Sequence, residues 1–262
     1  MTLGNKYSML KQLAILMALD TGGAVANTAA FFICTVLDAA NVQVASLPPL
    51  SASAASIYVA WTLLGLRLLI WSLTLALLPR MTELHPSFGK ARICYLLRIL
   101  VFVGEIISAG TVQYMYYRID PGTDLESMLF VSMIVLLELG LGLLLEVLLL
   151  SFGNRAVLNA GADLLESFGM EEAAKRNRRC GKWLIRFAAV YAFFWLFAFT
   201  IFLIWRMAHP EGFPESFPAF LFLLDIAAFL FCILTWLGVA VCRILAPLHM
   251  NRVYRLIRDL SE

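Results

Sequence analysis

Five ionisable residues stand deep inside long apolar runs: Asp20, Arg67, Glu105, Glu138 and Asp225. A charge within an apolar helix is costly, so it persists for a partner, a hydrated path or a site. Arg67 and Glu105 each lie about a dozen residues in from the same end of their runs, so at ~1.5 Å per residue their depths nearly match. An Arg67–Glu105 ion pair is the expected escape from a stranded charge, with Glu138 at similar depth competing for the same guanidinium. One arginine then faces four carboxylates. The surplus acids must be neutral, hydrated or bound to a cation, and a buried carboxyl that can take up a proton is what proton coupling requires.

Asp20 opens the most unusual local sequence, Asp20-Thr21-Gly22-Gly23 followed by Asn27-Thr28. Asp20 and Asn27 are seven apart and share a helix face, while Ala18, Gly22, Ala26 and Ala30 form a stripe of small residues that favours close packing. The adjacent glycines either loosen this helix, as in discontinuous transporter helices, or simply let it pack tightly. Glu138, Gly142 and Glu146 fall on one face of a later run. Arg98, Arg186 and Arg243 lie within a turn or two of the run ends and Glu146 is close to one, so the arginines read as side chains that snorkel to the boundary. The candidate polar cavity or ion path is therefore Asp20, Asn27, Arg67, Glu105, Glu138 and Asp225.

Other chemistries lack their residues. The three histidines, His85, His209 and His249, make no H-E-x-x-H, and neither a G-x-S-x-G elbow nor a P-loop is present, so no enzymatic activity is expected. The five cysteines form no C-x-x-C pair and read as small packing residues rather than a disulfide framework or a zinc site. No cofactor or metal is expected, and a net charge of +2 gives no reason to invoke nucleic acid.

The elements that position these residues follow from composition. Of 262 residues, 61% are hydrophobic and 15% charged, with a mean hydropathy of +0.84. A soluble domain runs nearer 45–50% apolar and roughly 25% charged. The expected fold class is all-α: a polytopic membrane helix bundle in one integral membrane domain, 1–262. A spanning helix needs about 20 mainly apolar residues, and six segments qualify: about 12–37, 56–79, 93–117, 128–150, 183–206 and 217–245. Lys6 and Lys11 ahead of the first run suggest a signal peptide, but the run continues past Asp20 to Val36, so an uncleaved first helix is expected.

Orientation follows from lysine and arginine near the helix ends. Residues 38–55 have neither, and the loops near 118–127 and 206–216 have only Arg118 and Arg206. The opposite side carries Lys6, Lys11, Arg80, Lys90, Arg92, Arg155, the run from Lys175 to Lys182, and Arg252, Arg255 and Arg258. Both termini are thus expected in the cytoplasm of a multi-pass protein of the cell (plasma or inner) membrane. Two cytoplasmic segments, 154–182 and 249–262, read as amphipathic helices that either rest at the headgroup boundary or dock a cytoplasmic partner subunit.

Matched landmarks 87 to 89 residues apart, including Arg98 with Arg186 and Arg118 with Arg206, raise the question of a duplicated hairpin. Two functions fit these features. One is a transporter, or the membrane subunit of a transport complex, moving a small solute or cation along the buried carboxylates. The alternative is a non-transporting regulatory, sensory or assembly component.

Overall fold

The computed structural model describes residues 3–39, 52–118, 125–208 and 219–261, with side chains outside the description for 30–39, 52–61, 112–118, 125–140 and a few further positions. Among the described residues the chain is helical and has no strand. Six helices follow in order: α1 (Leu3–Ala39), α2 (Ala52–Met81), α3 (Phe88–Arg118), α4 (Leu125–Ser167), α5 (Glu171–Ala208) and α6 (Ala219–Ser261). Among the described residues, four are long and apolar enough to cross a membrane, over Tyr7–Ala26, Thr62–Met81, Glu171–Ile201 and Ile226–Leu260. Each helix packs on its neighbours in sequence, and α6 closes back onto α1 and also touches α4.

The exterior of the bundle is apolar. Leu66, Leu69, Leu73, Leu100, Leu230 and Leu234 are exposed, while Asp20, Arg67 and Arg98 are buried. A continuous apolar exterior around a polar interior is the reverse of a water-soluble protein and suits a lipid environment.

The ends of the helices that carry most of the basic residues are packed into a core of their own. Met9, Leu10 and Leu13 of α1, Leu78 and Met81 of α2, and Phe88 of α3 meet there with the last turns of α4 and α6. The turn from α4 to α5 is set by Gly169, whose φ of 75° lies in the left-handed region that glycine adopts without a Cβ penalty. Its N–H donates to Glu166 O (2.9 Å) and that of Met170 to Leu165 O (3.0 Å). This is a Schellman cap, which satisfies the last carbonyls of α4. Glu171 and Glu172 then open α5, where negative charge suits the helix dipole.

This corrects the expectation of two separate surface helices at 154–182 and 249–262. The first is the end of α4, the Gly169 turn and the start of α5; the second is the unbroken end of α6. Val157, Leu158, Leu164 and Leu165 of α4 and Met250, Val253 and Ile257 of α6 are buried against one another and against α1. Facing apolar stripes leave water completely in this arrangement, which buries more area than lying half-immersed in a headgroup layer. Gly153 and Gly161 do not interrupt α4. A Cβ on Gly153 would meet the Tyr95 ring at 3.3 Å, and one on Gly161 would meet Met250 Sδ at 2.9 Å, so both mark close packing.

Candidate functional site

Helical spacing alone aligns the residues of a buried polar network. Arg67 and Trp71 are four apart on α2, and Tyr95, Arg98 and Phe102 recur at i, i+3 and i+7 on α3, so each set shares a face. On α1 the buried stripe Leu10, Leu13, Ala14, Met17 continues without a break into Asp20. These faces converge with Glu146 of α4.

Asp20 Oδ1 accepts hydrogen bonds from Trp71 Nε1 at 2.8 Å and Arg67 Nε at 3.2 Å. Arg67 turns its Nη1 to Glu146 Oε1 at 2.6 Å, and Arg98 Nη2 lies 3.2 Å from Glu146 Oε2. The Arg67 and Arg98 guanidiniums lie 4.9 and 4.5 Å from the Trp71 ring centroid. Phe102 meets the Trp71 ring edge-on at 5.6 Å. The indole thus donates to a carboxylate at its rim while its π faces attract cations, two interactions that reinforce each other. Four helices are tied together: α1, α2, α3 and α4.

Arg67 reaches Asp20 because α1 carries a glycine at the crossing. A Cβ on Gly23 would lie 3.1 Å from Arg67 Cγ, whereas one on Gly22 would meet nothing within 4 Å. Helix α1 is continuous through both. The glycines therefore do not open the helix; Gly23 makes room for an arginine stem, and Gly22 lies on the exposed face.

Arg243 of α6 is also buried and stands near Asp20, Glu146 and Arg67. Its Nε and Nη2, and Nη2 of Arg67, have no hydrogen-bond partner among the described residues. The Arg243 carbonyl has a specific use. Pro247 lies inside α6 and has no N–H to return to the carbonyl four residues earlier, which is that of Arg243. Thr21 Oγ1 reaches that oxygen at 3.4 Å while also bonding Met17 O at 2.9 Å. A hydroxyl from α1 thus helps satisfy a backbone group freed by a proline in α6.

No known protein family, curated protein or solved structure matches the chain. The site's meaning therefore rests on its own geometry.

That geometry changes several expectations. Asp20 and Arg67 are buried and paired with each other, and Arg67 also pairs with Glu146, a partner the sequence reading did not assign to it. The side chains of Asn27, Glu105, Glu138 and Asp225 lie outside the described residues. Arg98 and Arg243 are buried rather than reaching outward, and Arg98 pairs with Glu146, so all three belong to the interior network. The end of an apolar run does not mark the end of its helix. Helix α4 continues well past 150 to Ser167, so Glu146 stands level with mid-α2. Arg186 does lie exposed, over the Trp183 ring at 5.2 Å, which also separates its environment from that of its repeat counterpart Arg98. Among the described side chains this network brings three arginines, Arg67, Arg98 and Arg243, to two carboxylates, Asp20 and Glu146. The spacing of Tyr95, Arg98 and Phe102, an arginine framed by aromatics on one face, was the signal available for Arg98.

A second polar cluster lies at the basic end. Arg178 of α5 forks onto Glu166 at 2.6 and 2.7 Å and reaches Asp163 at 2.7 Å. Ser87, just before α3, donates to the other Asp163 oxygen at 2.6 Å. Partial burial pushes the Asp163 carboxyl up, but the Ser87 hydroxyl and Arg178 guanidinium more than reverse this and hold it below the ordinary carboxylate range. Nearby, Glu171, Glu172, Arg176 and Arg252 line an open basin of about 440 Å³ between the α4–α5 turn and α6.

Proposed function

We propose that the chain is a multi-pass membrane protein with six spans and both termini in the cytoplasm, and that it acts as a non-transporting assembly or regulatory component. The observation that carries this reading is the length of α4 and α6. Each has 43 residues, which at ~1.5 Å per residue is about 65 Å against a hydrocarbon core of about 30 Å. Their basic ends project as a packed helical mass, with the mixed-charge basin at Arg176 and Arg252 as its docking face for a cytoplasmic partner subunit. Inside the bundle, the carboxylate that would begin an ion path, Asp20, is committed to Arg67 and Trp71. A network that clamps four helices serves as a rigid platform.

The second reading is a transporter, or the membrane subunit of a transport complex, for a small solute or cation. It is favoured by the concentration of charge in the interior, since buried ionisable residues within apolar helices accompany transport pathways. The two readings separate in liposomes. Under the first, purified protein gives no proton or cation flux above protein-free vesicles, and a photo-crosslinker at Arg176 or Arg252 captures a discrete partner in cells while one at the lipid-facing Leu69 does not. Flux by the wild type that disappears in Asp20→Asn would overturn the first reading in favour of the second.

A further inference from the structure

Helices α1 and α6 enclose an open lateral groove of about 680 Å³. Its lining changes character along its length. Lys11 and Asn251 stand at the basic end, and Ala14, Ile15, Ala18, Gly22, Val25 and Ala26 continue along α1. From Lys11 to Ala26 is about 22 Å at ~1.5 Å per residue. One leaflet of hydrocarbon is about 15 Å deep and the headgroup layer adds a further ~5–7 Å. The groove is therefore polar for the depth of a headgroup and apolar for the depth of one leaflet.

Among the described residues its floor is lined mainly by apolar side chains. The Thr21 hydroxyl there is turned inward to Met17 O and Arg243 O. Ala18, Gly22 and Ala26 are exposed, and nothing approaches a Cβ built on Gly22. Pro247, which lines the opposite wall on α6, has no backbone N–H to present.

We propose that this groove holds one phospholipid with an anionic headgroup, its phosphate at Lys11 and Asn251 and an acyl chain along Ala18, Gly22 and Ala26. The assignment rests on the membrane orientation proposed above, which places Lys11 in the cytoplasmic leaflet, the leaflet that carries acidic lipid. Charge decides between a lipid and a second copy of the chain. Two parallel copies meeting through this face would bring their Lys11 side chains together, whereas an acidic headgroup is attracted to the same side chain.

The test is native mass spectrometry of the whole protein after reconstitution in equal amounts of phosphatidylcholine and phosphatidylglycerol. The wild type retains one lipid, with phosphatidylglycerol favoured about fivefold, roughly the 1 kcal/mol of one lysine near an acidic surface. Lys11→Gln retains lipid without that preference. Gly22→Leu fills the groove and loses most of the retained lipid; its side chain points into open space, so the fold tolerates it, and an unchanged melting temperature checks this. Equal retention of the two lipids by the wild type, or an unchanged preference in Lys11→Gln, would overturn the proposal. So would efficient disulfide crosslinking of two copies through Gly22→Cys, which would place a helix in the groove. Release of the protein from vesicles by alkaline carbonate would overturn the membrane reading and the groove with it, whereas protein that stays embedded without the lipid overturns the groove alone.

Discussion

Asp20 and Arg67 show how far a single residue's environment follows from its type. A charge in an apolar run must find its counter-charge, and both did. Truncating one member of such a pair strands the other and costs about 3–5 kcal/mol. Arg67→Ala is therefore expected to lower the yield of folded protein sharply and to reduce its melting temperature in detergent; a variant as stable as the wild type would refute the role given to this pair. Burial of Asp20 and Arg67 was legible because each interrupts an otherwise apolar stretch. Their partner was not. Glu146 is level with Arg67 only because α4 continues beyond its apolar run, and run length says nothing about where a helix stops once polar residues resume on its outer face.

The same limit operates at the scale of elements. The six apolar segments marked the helices well, since 20 or so apolar residues have few other fates. The basic-end extensions look like separate pieces in the sequence because their outer faces are polar, while their inner faces are as apolar as any core. The stop signal was present in Phe168-Gly169-Met170-Glu171, a glycine at the cap followed by acid in the next first turn. Within α1, neighbouring glycines have opposite tolerance. Gly23→Leu is expected to destabilise the fold by pushing on Arg67, whereas Gly22→Leu is expected to leave stability unchanged; comparison of the two melting curves checks the crossing geometry. At the junction of α3, α4 and α5, the Asp163 carboxyl gives a pH dependence of known sign. Its folded-state pKa lies below the unfolded value near ~3.9, so its contribution is fully present above that value and is lost as pH falls through the depressed one. Acid unfolding should thus begin at higher pH in Ser87→Ala, which removes one hydrogen bond from the carboxylate, and Asp163→Asn should flatten stability across the same acidic window. Identical acid transitions in all three proteins would refute the clasp.

For the whole molecule, the charge asymmetry and the packing agree that one end of the bundle is basic. The ring contact of Tyr7 with Phe168, 6.3 Å between centroids, puts the start of α1 beside the α4–α5 turn at that end. Single cysteines at positions 53, 124 and 211 are therefore expected to react with an impermeant thiol reagent from outside intact cells, and one at position 178 only after permeabilisation. Labelling in the reverse pattern would invert the topology, and a mixed pattern would change the number of spans.

The pairing order of the buried network also has a consequence for how the chain enters the bilayer. Asp20 and Arg67 belong to α1 and α2, and Arg98 and Glu146 belong to α3 and α4. Each of these two pairs is contributed by two consecutive helices, so under the proposed topology each helical hairpin would enter the bilayer with an acid–base pair of its own. A lone charge at a helix centre costs about 2.5–3.5 kcal/mol on insertion, and pairing within a hairpin offsets that cost before the whole bundle is assembled. The Arg67–Glu146 link then joins the two hairpins.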